Sequence, residues 1–517
     1  MQRLSEQTLN QLAPDVGRPN YNRTEVPTRM VHLGAGAFHR SHQAVYNDKI
    51  MNDGDAQWGI MAVSLHNLAT SQALTPQDGL YTLVTRDNEL ETARIIGSLN
   101  RVACLADARQ AVLTQLASPD TEIVSLTITE KGYCYEPSEK MLDENHPAVR
   151  ADLVDPLNAC SAVGLLALAI ARRRAQRTHP FTLLSCDNLP SNGKTLQSVL
   201  SQYLELTQSA LGDTGLQAYF LDRYACPCTV VDRITPATTP ADIADVEMLL
   251  GLHDASPIVT EPFSQWVIQD WFSSDRPQWE NVGATITGSV EGFEKLKLRL
   301  LNGSHSAIAY LGRLVGYDSV ADAMRNKAIS QFVHDLMDDA AATVHVPAEI
   351  NIGDYKKSLV KRLGNRALRH RTDQIAVDGS QKLPQRIIDP MQSRLRQGLA
   401  VDRHAMVIAA WIACLLGHDE KHGKLDLEDP LSARLRHAVE KAGVDRPQLK
   451  AGASAHNLVA GVTGISEIFG AVLPRDPEFQ RSVTSALHHL FASGVVGALD
   501  ALNRRVPDGA RARHGPL

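Results

Sequence analysis

Along the first ~290 residues, apolar positions gather in short continuous runs separated by stretches of helical spacing. Met30-Val-His-Leu33 is one such run, closed by Gly34 and followed by a helical pattern through Tyr46. Residues 58–65, 123–129, 181–186 and 229–232 form others, with helical periodicity over 156–174 and 195–211 between them. Apolar runs of this length bounded by turn residues read as buried strands. Their alternation with helices predicts an α/β domain over residues 1–290, with a mostly parallel sheet covered on both faces. Past about Glu291 the strand signals vanish. Residues 293–315, 319–337, 355–362, 403–416, 430–442 and 479–502 repeat apolar side chains at helical spacing, which predicts a predominantly α-helical domain over 291–517. No internal repeat is visible, and the tail 511–517 is expected to fray.

Within the 293–315 pattern, three polar residues interrupt the apolar run Lys297-Leu-Arg-Leu-Leu-Asn302-Gly-Ser-His305. At about 100° per residue, Lys297, His305 and Asn302 sit at 0°, about 80° and about 140° around the axis. All three can therefore address one pocket. Burial disfavours a charged lysine and moves its pKa towards the range useful for a base. The pattern also fits an ordinary amphipathic helix whose Lys297 snorkels to solvent and whose Asn302 caps a turn.

The bulk composition narrows the partners. The chain has 517 residues, 44% of them hydrophobic and 21% charged, as in an ordinary globular protein. With 52 basic and 58 acidic residues the net charge is −6, so neither nucleic acid nor an anionic membrane is expected as partner. The short clusters Arg172-Arg173-Arg174 and Arg504-Arg505 read as solvated helix ends. Seven cysteines without framework spacing predict reduced thiols and a cytoplasmic setting. Cys226-Pro-Cys228 lacks the second pair or nearby histidine that a metal site would need, so no metal is expected. The first residues show no signal-peptide pattern, and the apolar runs at 162–171 and 405–417 fall short of the ~20 residues of a membrane span.

Gly34-Ala-Gly36-Ala-Phe38-His39-Arg40 follows the first strand and opens a helix. Glycines there allow a tight turn, and helix-start amides can hold a pyrophosphate. The third glycine of a dinucleotide fingerprint is replaced by His39. The second strand ends at Leu65-His66-Asn67, with neither a carboxylate for ribose hydroxyls nor an arginine for a 2′-phosphate. NAD and NADP therefore both remain open. Asp187-Asn188 before Pro190 reads as a strand-end turn, Asp232-Arg233 as an ion pair, and His39, His42 and His305 as core histidines, unless a further pattern assigns them chemistry.

Such a pattern exists. Gly34-Ala-Gly36-Ala-Phe38-His39-Arg40-Ser-His42-Gln43, Thr127-Ile-Thr-Glu130-Lys131-Gly132-Tyr133, Ser185-Cys186-Asp187-Asn188-Leu-Pro190, Val231-Asp232-Arg233-Ile-Thr-Pro236 and Glu261-Pro-Phe-Ser-Gln-Trp266 occur in this order ahead of Lys297, Asn302 and His305. Together they resemble the long-chain mannitol dehydrogenase family, the polyol-specific dehydrogenases, over nearly the whole chain. The resemblance implies a Rossmann-type N-terminal domain and a helical C-terminal domain. It also implies metal-independent, nicotinamide-linked interconversion of a secondary alcohol and a ketone on open-chain sugars. It makes Lys297 the general acid/base, Asn188 and Asn302 the groups holding the reacting oxygen, and His305 and Asp232 contacts to substrate hydroxyls. Glu294 resembles a carboxylate that relays protons to solvent. Gly34, Ala35, Gly36, Ala37 and Phe38, with Asn67 and Thr129, are expected to line the cofactor.

The stretch from Leu368 to Arg386 bears on the substrate. Mannitol dehydrogenases commonly carry an arginine where this chain has Gln374. The run His370-Arg371-Thr-Asp-Gln374-Ile-Ala-Val-Asp378-Gly379-Ser380-Gln381-Lys382-Leu-Pro384-Gln-Arg386 is instead similar to fructuronate reductases. Lys382 matches a substrate-contacting lysine of the family, and His370, Arg371 and Arg386 add cationic partners for a carboxylate. The resemblance thus implies an NAD-dependent enzyme acting on a sugar acid, D-fructuronate/D-mannonate. Mannitol or D-arabinitol dehydrogenase activity on neutral polyols is the alternative, and a non-catalytic nucleotide sensor a remote one. A monomer is expected.

Overall fold

The computed structural model describes residues 1–136, 141–368, 370–443 and 455–505; the tail expected to fray lies outside the described residues. The chain divides into two compact units, Met1–Glu291 and Gly292–Leu517.

In the first unit five parallel strands form the main sheet: β1 (Thr28–Leu33), β2 (Gly59–Ser64), β3 (Leu99–Cys104), β4 (Ile123–Leu126) and β5 (Thr182–Ser185), in the order β3-β2-β1-β4-β5. Successive side chains on a strand point to opposite faces. Val31, Leu33, Met61, Val63, Val124 and Leu126 accordingly feed one apolar core, with the helices Leu105–Ala117, Ala162–Gln176 and Asn192–Thr207. Met30, Ile60, Ala62, Ile123 and Leu184 feed the other, with Tyr46, Trp58, Trp266 and Trp279. A sheet buried on both faces explains why its strands read as continuous apolar runs. The order reverses between β1 and β4, which leaves a crevice outside their carboxyl ends.

Some expected elements lie elsewhere. Thr229–Asp232 leaves the parallel sheet and pairs antiparallel with Gln265–Gln269, Asp232 opposite Gln265. An antiparallel hairpin, Tyr81–Arg86 with Glu91–Ile96, had no counterpart among the expected strands. The helix after β1 is not continuous through Tyr46. It breaks at His42 (φ −121, ψ −90) into Ala37–Ser41 and Gln43–Asn52.

The second unit is helical. Gly303–Val315, Asp402–Cys414 and Pro477–Arg505 pack together around one apolar core. Pro477–Arg504 is long and apolar enough to cross a membrane, with a mean hydropathy of 1.2, and half of that window is buried inside the protein. Among the described residues this helix, rather than the runs at 162–171 or 405–417, is the one that meets the length. It kinks at Gly494 (φ 70), where Glu420 Oε1 accepts from the Val495 amide at 2.5 Å.

Candidate active site

In the first unit the site residues gather at the carboxyl ends of the strands. Gly34 follows β1 with φ +101, and a Cβ there would stand 2.0 Å from the Thr127 carbonyl oxygen, so only glycine fits. The turn is pinned from below by His32. Its Nε2 lies 3.1 Å from the Gly34 carbonyl, which can only accept, so Nε2 carries the proton and Nδ1 accepts from Ser125 Oγ at 2.8 Å. Burial pushes His32 down to about 3, which keeps it neutral. His39 stacks on it with ring centroids 3.4 Å apart and is also held neutral by burial. Ala35 is buried, Ala37 and Phe38 are half-buried and Gly36 is exposed, and no side chain caps the first turn of the helix that follows. At Gly36 a Cβ would meet nothing closer than the Gly34 oxygen at 3.8 Å, which leaves room above the turn.

Asn67 is exposed after β2, and its Oδ1 accepts from the Ala69 amide at 2.8 Å. Thr129 is exposed after β4 with φ +62. Asn188 is exposed after β5, next to the largely buried Asp187. Asp232 is buried at the end of its strand. Arg233 donates to the main-chain carbonyls of Glu261 and Ser41 at 2.6–3.1 Å, so it braces the backbone rather than pairing with Asp232.

In the second unit the Lys297 segment is not a regular α-helix. Glu291–Leu296 is α-helical, Lys297–Asn302 is a π-helix, and Gly303–Val315 is α-helical again. The Gly303 amide donates five residues back to the Leu298 carbonyl, the mark of the widened turn. In α geometry Asn302 would stand about 140° from Lys297; the wider turn brings residue i+5 back over residue i. The expected angles are corrected accordingly, with Asn302 moved towards the Lys297 face. Isolated π-turns occur often at functional sites.

A second π-turn, Pro384–Ile388, packs against the first. Pro384 cannot donate a helical hydrogen bond, and its ring clashes with the carbonyl four residues earlier, which accounts for the irregularity. A Cβ at Gly303 would lie 3.1 Å from the Arg386 carbonyl, so the glycine permits this close approach. Arg386 Nη1 donates to Ser306 Oγ at 3.3 Å.

Lys297 and His305 are both buried, while Asn302 and Glu294 are half-buried. His305 stands edge-on to His370, ring centroids 5.1 Å apart. Burial first, and then the neighbouring His370, Arg362, Arg386 and Lys297, push His305 well below the ordinary histidine value. Its Nε2 is buried without a hydrogen-bond partner among the described residues. Burial also pushes His370 down to about 4. The result is a pair of neutral imidazoles with Arg362, Arg386 and Lys297 nearby. Lys382 is half-buried, with Nζ 3.4 Å from the Ile375 carbonyl.

Arg371 does not join this group. Its side chain is 62% exposed and forms a two-pronged ion pair with Asp373. Arg362, buried in the last turn of Ile352–Leu363, lies among the charges acting on His305. Nothing in the sequence separates Arg362 from a surface arginine of an amphipathic helix. Asp187 was legible only as a turn residue. Among the described residues, no group of three or more His, Cys, Asp or Glu side chains could hold a metal ion.

Comparison with known proteins bears on these residues. Residues 28–281 match the Mannitol dehydrogenase Rossmann domain, and residues 289–491 the Mannitol dehydrogenase C-terminal domain. The chain is 38% identical to the D-mannonate oxidoreductase of Escherichia coli (strain K12) over 493 residues, covering 94% of this chain and 98% of that protein. It is 36% identical to a mannitol 2-dehydrogenase of Aspergillus oryzae, covering 96% and 98%. The Pseudomonas fluorescens mannitol 2-dehydrogenase, in a ternary complex with NAD and D-mannitol, superposes with a TM-score of 0.87 at 34% identity, covering 98% and 100%.

Proposed function

The chain belongs to the mannitol dehydrogenase family, and on that premise we propose that it is an NAD-dependent oxidoreductase interconverting D-fructuronate and D-mannonate. The observation that carries the sugar-acid reading is the placement of two arginines, Arg362 and Arg386, close enough to act on the neutral His305. A uronate carboxylate can take a guanidinium as partner, and a neutral polyol has no such need. The similarity to a D-mannonate oxidoreductase supports the same substrate.

The turn at Gly34 fits a dinucleotide, because it lies at the switch of strand order and Gly36 leaves room above it. Gly34, Ala35, Gly36, Ala37 and Phe38, with Asn67 and Thr129, would hold the cofactor. NAD, when bound, supplies the hydride acceptor. Lys297 takes the proton from the alcohol in one direction and returns it to the ketone oxygen in the other. The carboxamides of Asn188 and Asn302 donate to that oxygen as charge develops, a role worth a few kcal/mol. His305 Nε2 and the Asp232 carboxylate hydrogen-bond substrate hydroxyls, and Glu294 passes protons between Lys297 and solvent. The carboxylate falls to Lys382, Arg386 and Arg362, beside His370. Arg371, committed to Asp373 at the surface, drops out of that role.

The mannitol 2-dehydrogenases favour a second reading, a neutral ketose or polyol substrate. All seven cysteines are free thiols, six of them buried, which suits a cytoplasmic setting. Oxidation of NADH and NADPH, followed side by side with D-fructuronate, D-fructose and D-xylulose, decides between the readings. Turnover with NADH and D-fructuronate well above the other pairs is the expected result. Preference for D-fructose or D-xylulose would establish the second reading, and no oxidation with any of them would refute both.

A further inference from the structure

The Asp187 carboxylate ties together two segments that the proposed chemistry uses separately. Its Oδ1 accepts from the Thr129 amide at 3.0 Å, and its Oδ2 from the Ile128 amide at 2.9 Å and the Tyr133 hydroxyl at 2.8 Å. Tyr133 is fully buried, and its hydroxyl also lies 2.6 Å from Ser185 Oγ at the end of β5. The carbonyl of Asp187 accepts from Asn192 Nδ2 at 3.0 Å. That carbonyl belongs to the planar peptide that leads into Asn188, so fixing it fixes where the Asn188 backbone begins. Asn192 is itself anchored, since its Oδ1 accepts from the Thr229 amide at 2.9 Å.

The backbone around these ties is strained. Thr129 has φ +62, a region that β-branched residues avoid. Among the described residues seven non-glycine residues have positive φ. Three of them, Thr129, Cys134 and Ser191, are either a partner of Asp187 or directly adjacent to Tyr133 or Asn192. Such conformations persist only where surrounding bonds over-determine them, and they cluster at functional sites. Burial raises the Asp187 carboxyl to about 6, although the two amides and the Tyr133 hydroxyl lower it. Keeping a carboxylate in so dry a place makes structural sense when its oxygens are needed as acceptors.

We propose that Asp187 is a positioning residue that holds the strained Thr129 turn and the start of Asn188 in one register. One carboxylate thereby aligns the cofactor-facing and substrate-facing groups of the first unit. The inference rests on the reading above, in which Thr129 faces NAD and Asn188 the reacting oxygen.

The test is Asp187→Asn, alone and combined with Thr129→Gly, measured by NADH fluorescence titration and by kcat with D-fructuronate. The amide keeps the shape but turns one acceptor into a donor facing an amide N–H. NADH affinity and kcat should each fall about ten-fold, the size expected when a bond to a charged group is lost. Glycine adopts positive φ without help, so in the Thr129→Gly background the NADH penalty should shrink to about two-fold. The kcat penalty, which acts through Asn188, should remain. Equal NADH penalties in the two backgrounds, or no penalty in either, would overturn the proposal. Should Asp187→Asn fail to fold, Tyr133→Phe removes one tie and leaves the carboxylate; NADH affinity about three-fold weaker supports the proposal, and unchanged affinity overturns it. Failure of the wild-type chain to bind NADH would overturn the cofactor reading itself, and the inference with it.

Discussion

The His305 imidazole stands edge-on to that of His370, ring centroids 5.1 Å apart and planes at 78°, and burial holds both rings neutral at physiological pH. Two imidazoles that refuse protons thus sit near the guanidinium charges of Arg362 and Arg386 and beside Lys297. A neutral ring can donate and accept hydrogen bonds to sugar hydroxyls without adding to that charge.

Stability should depend on pH through such rings. His32 and His404 are pushed down to about 3, His370 to about 4, and His39 and His305 well below the ordinary value, in each case by burial first. Unfolded, each binds a proton near 6.5, so on acidification the unfolded chain takes up protons before the folded one. The stability is present in full above about pH 6.5 and is lost as pH falls towards 4. Asp187, raised to about 6, acts in the opposite sense between about pH 4 and 6, but it is one group against five. Calorimetry should show Tm falling by more than about 5 °C between pH 7 and 4.5. A flat Tm over that range would contradict the neutral buried rings.

Gly34 and Gly36 should respond differently to a methyl group. Gly34→Ala forces a Cβ to within 2.0 Å of the Thr127 oxygen at φ +101, whereas Gly36→Ala meets nothing closer than 3.8 Å. Gly34→Ala should cost about 2 kcal/mol or more of stability and abolish NADH binding. Gly36→Ala should fold normally, with any loss confined to cofactor affinity. Denaturant melts and NADH titrations of both variants check this.

The carboxylate reading separates two arginines 15 positions apart in sequence. Arg386→Gln and Lys382→Ala should raise KM for D-fructuronate about ten-fold more than KM for a neutral ketose, the size of a charge-assisted hydrogen bond. Arg371→Ala should change neither by more than about two-fold, because its partner is Asp373 in solvent. Equal losses for both substrates at Arg386 and Lys382 would argue for neutral polyols.

Much of the architecture was legible because it follows from burial. Strands covered on both faces must be apolar throughout, so β1, β2, β4 and β5 announced themselves as runs. The helical unit was legible from its periodicity. The hairpin Tyr81–Arg86/Glu91–Ile96 was not, since Thr82, Thr85, Thr92 and Arg94 interrupt its apolar positions. The π-turn was hidden for a different reason: six residues of i+5 pairing leave no sequence period, and the cause lies in packing against a second irregular turn containing Pro384. Arg371 resembles a clamp by residue type alone, but its partner is Asp373, two residues away. Arg362 and Asp187 matter through where the fold carries them, which no local pattern records.

In the proposed reaction everything turns on Lys297, which moves the proton of the reacting alcohol. The most direct measurement is kcat of Lys297→Ala for NADH-linked reduction of D-fructuronate, with NADH affinity and Tm measured on the same preparation. A loss in kcat of about 100-fold or more is expected, the usual range for a general acid/base, with NADH affinity within about two-fold of wild type. Turnover close to wild type in a folded variant would contradict it.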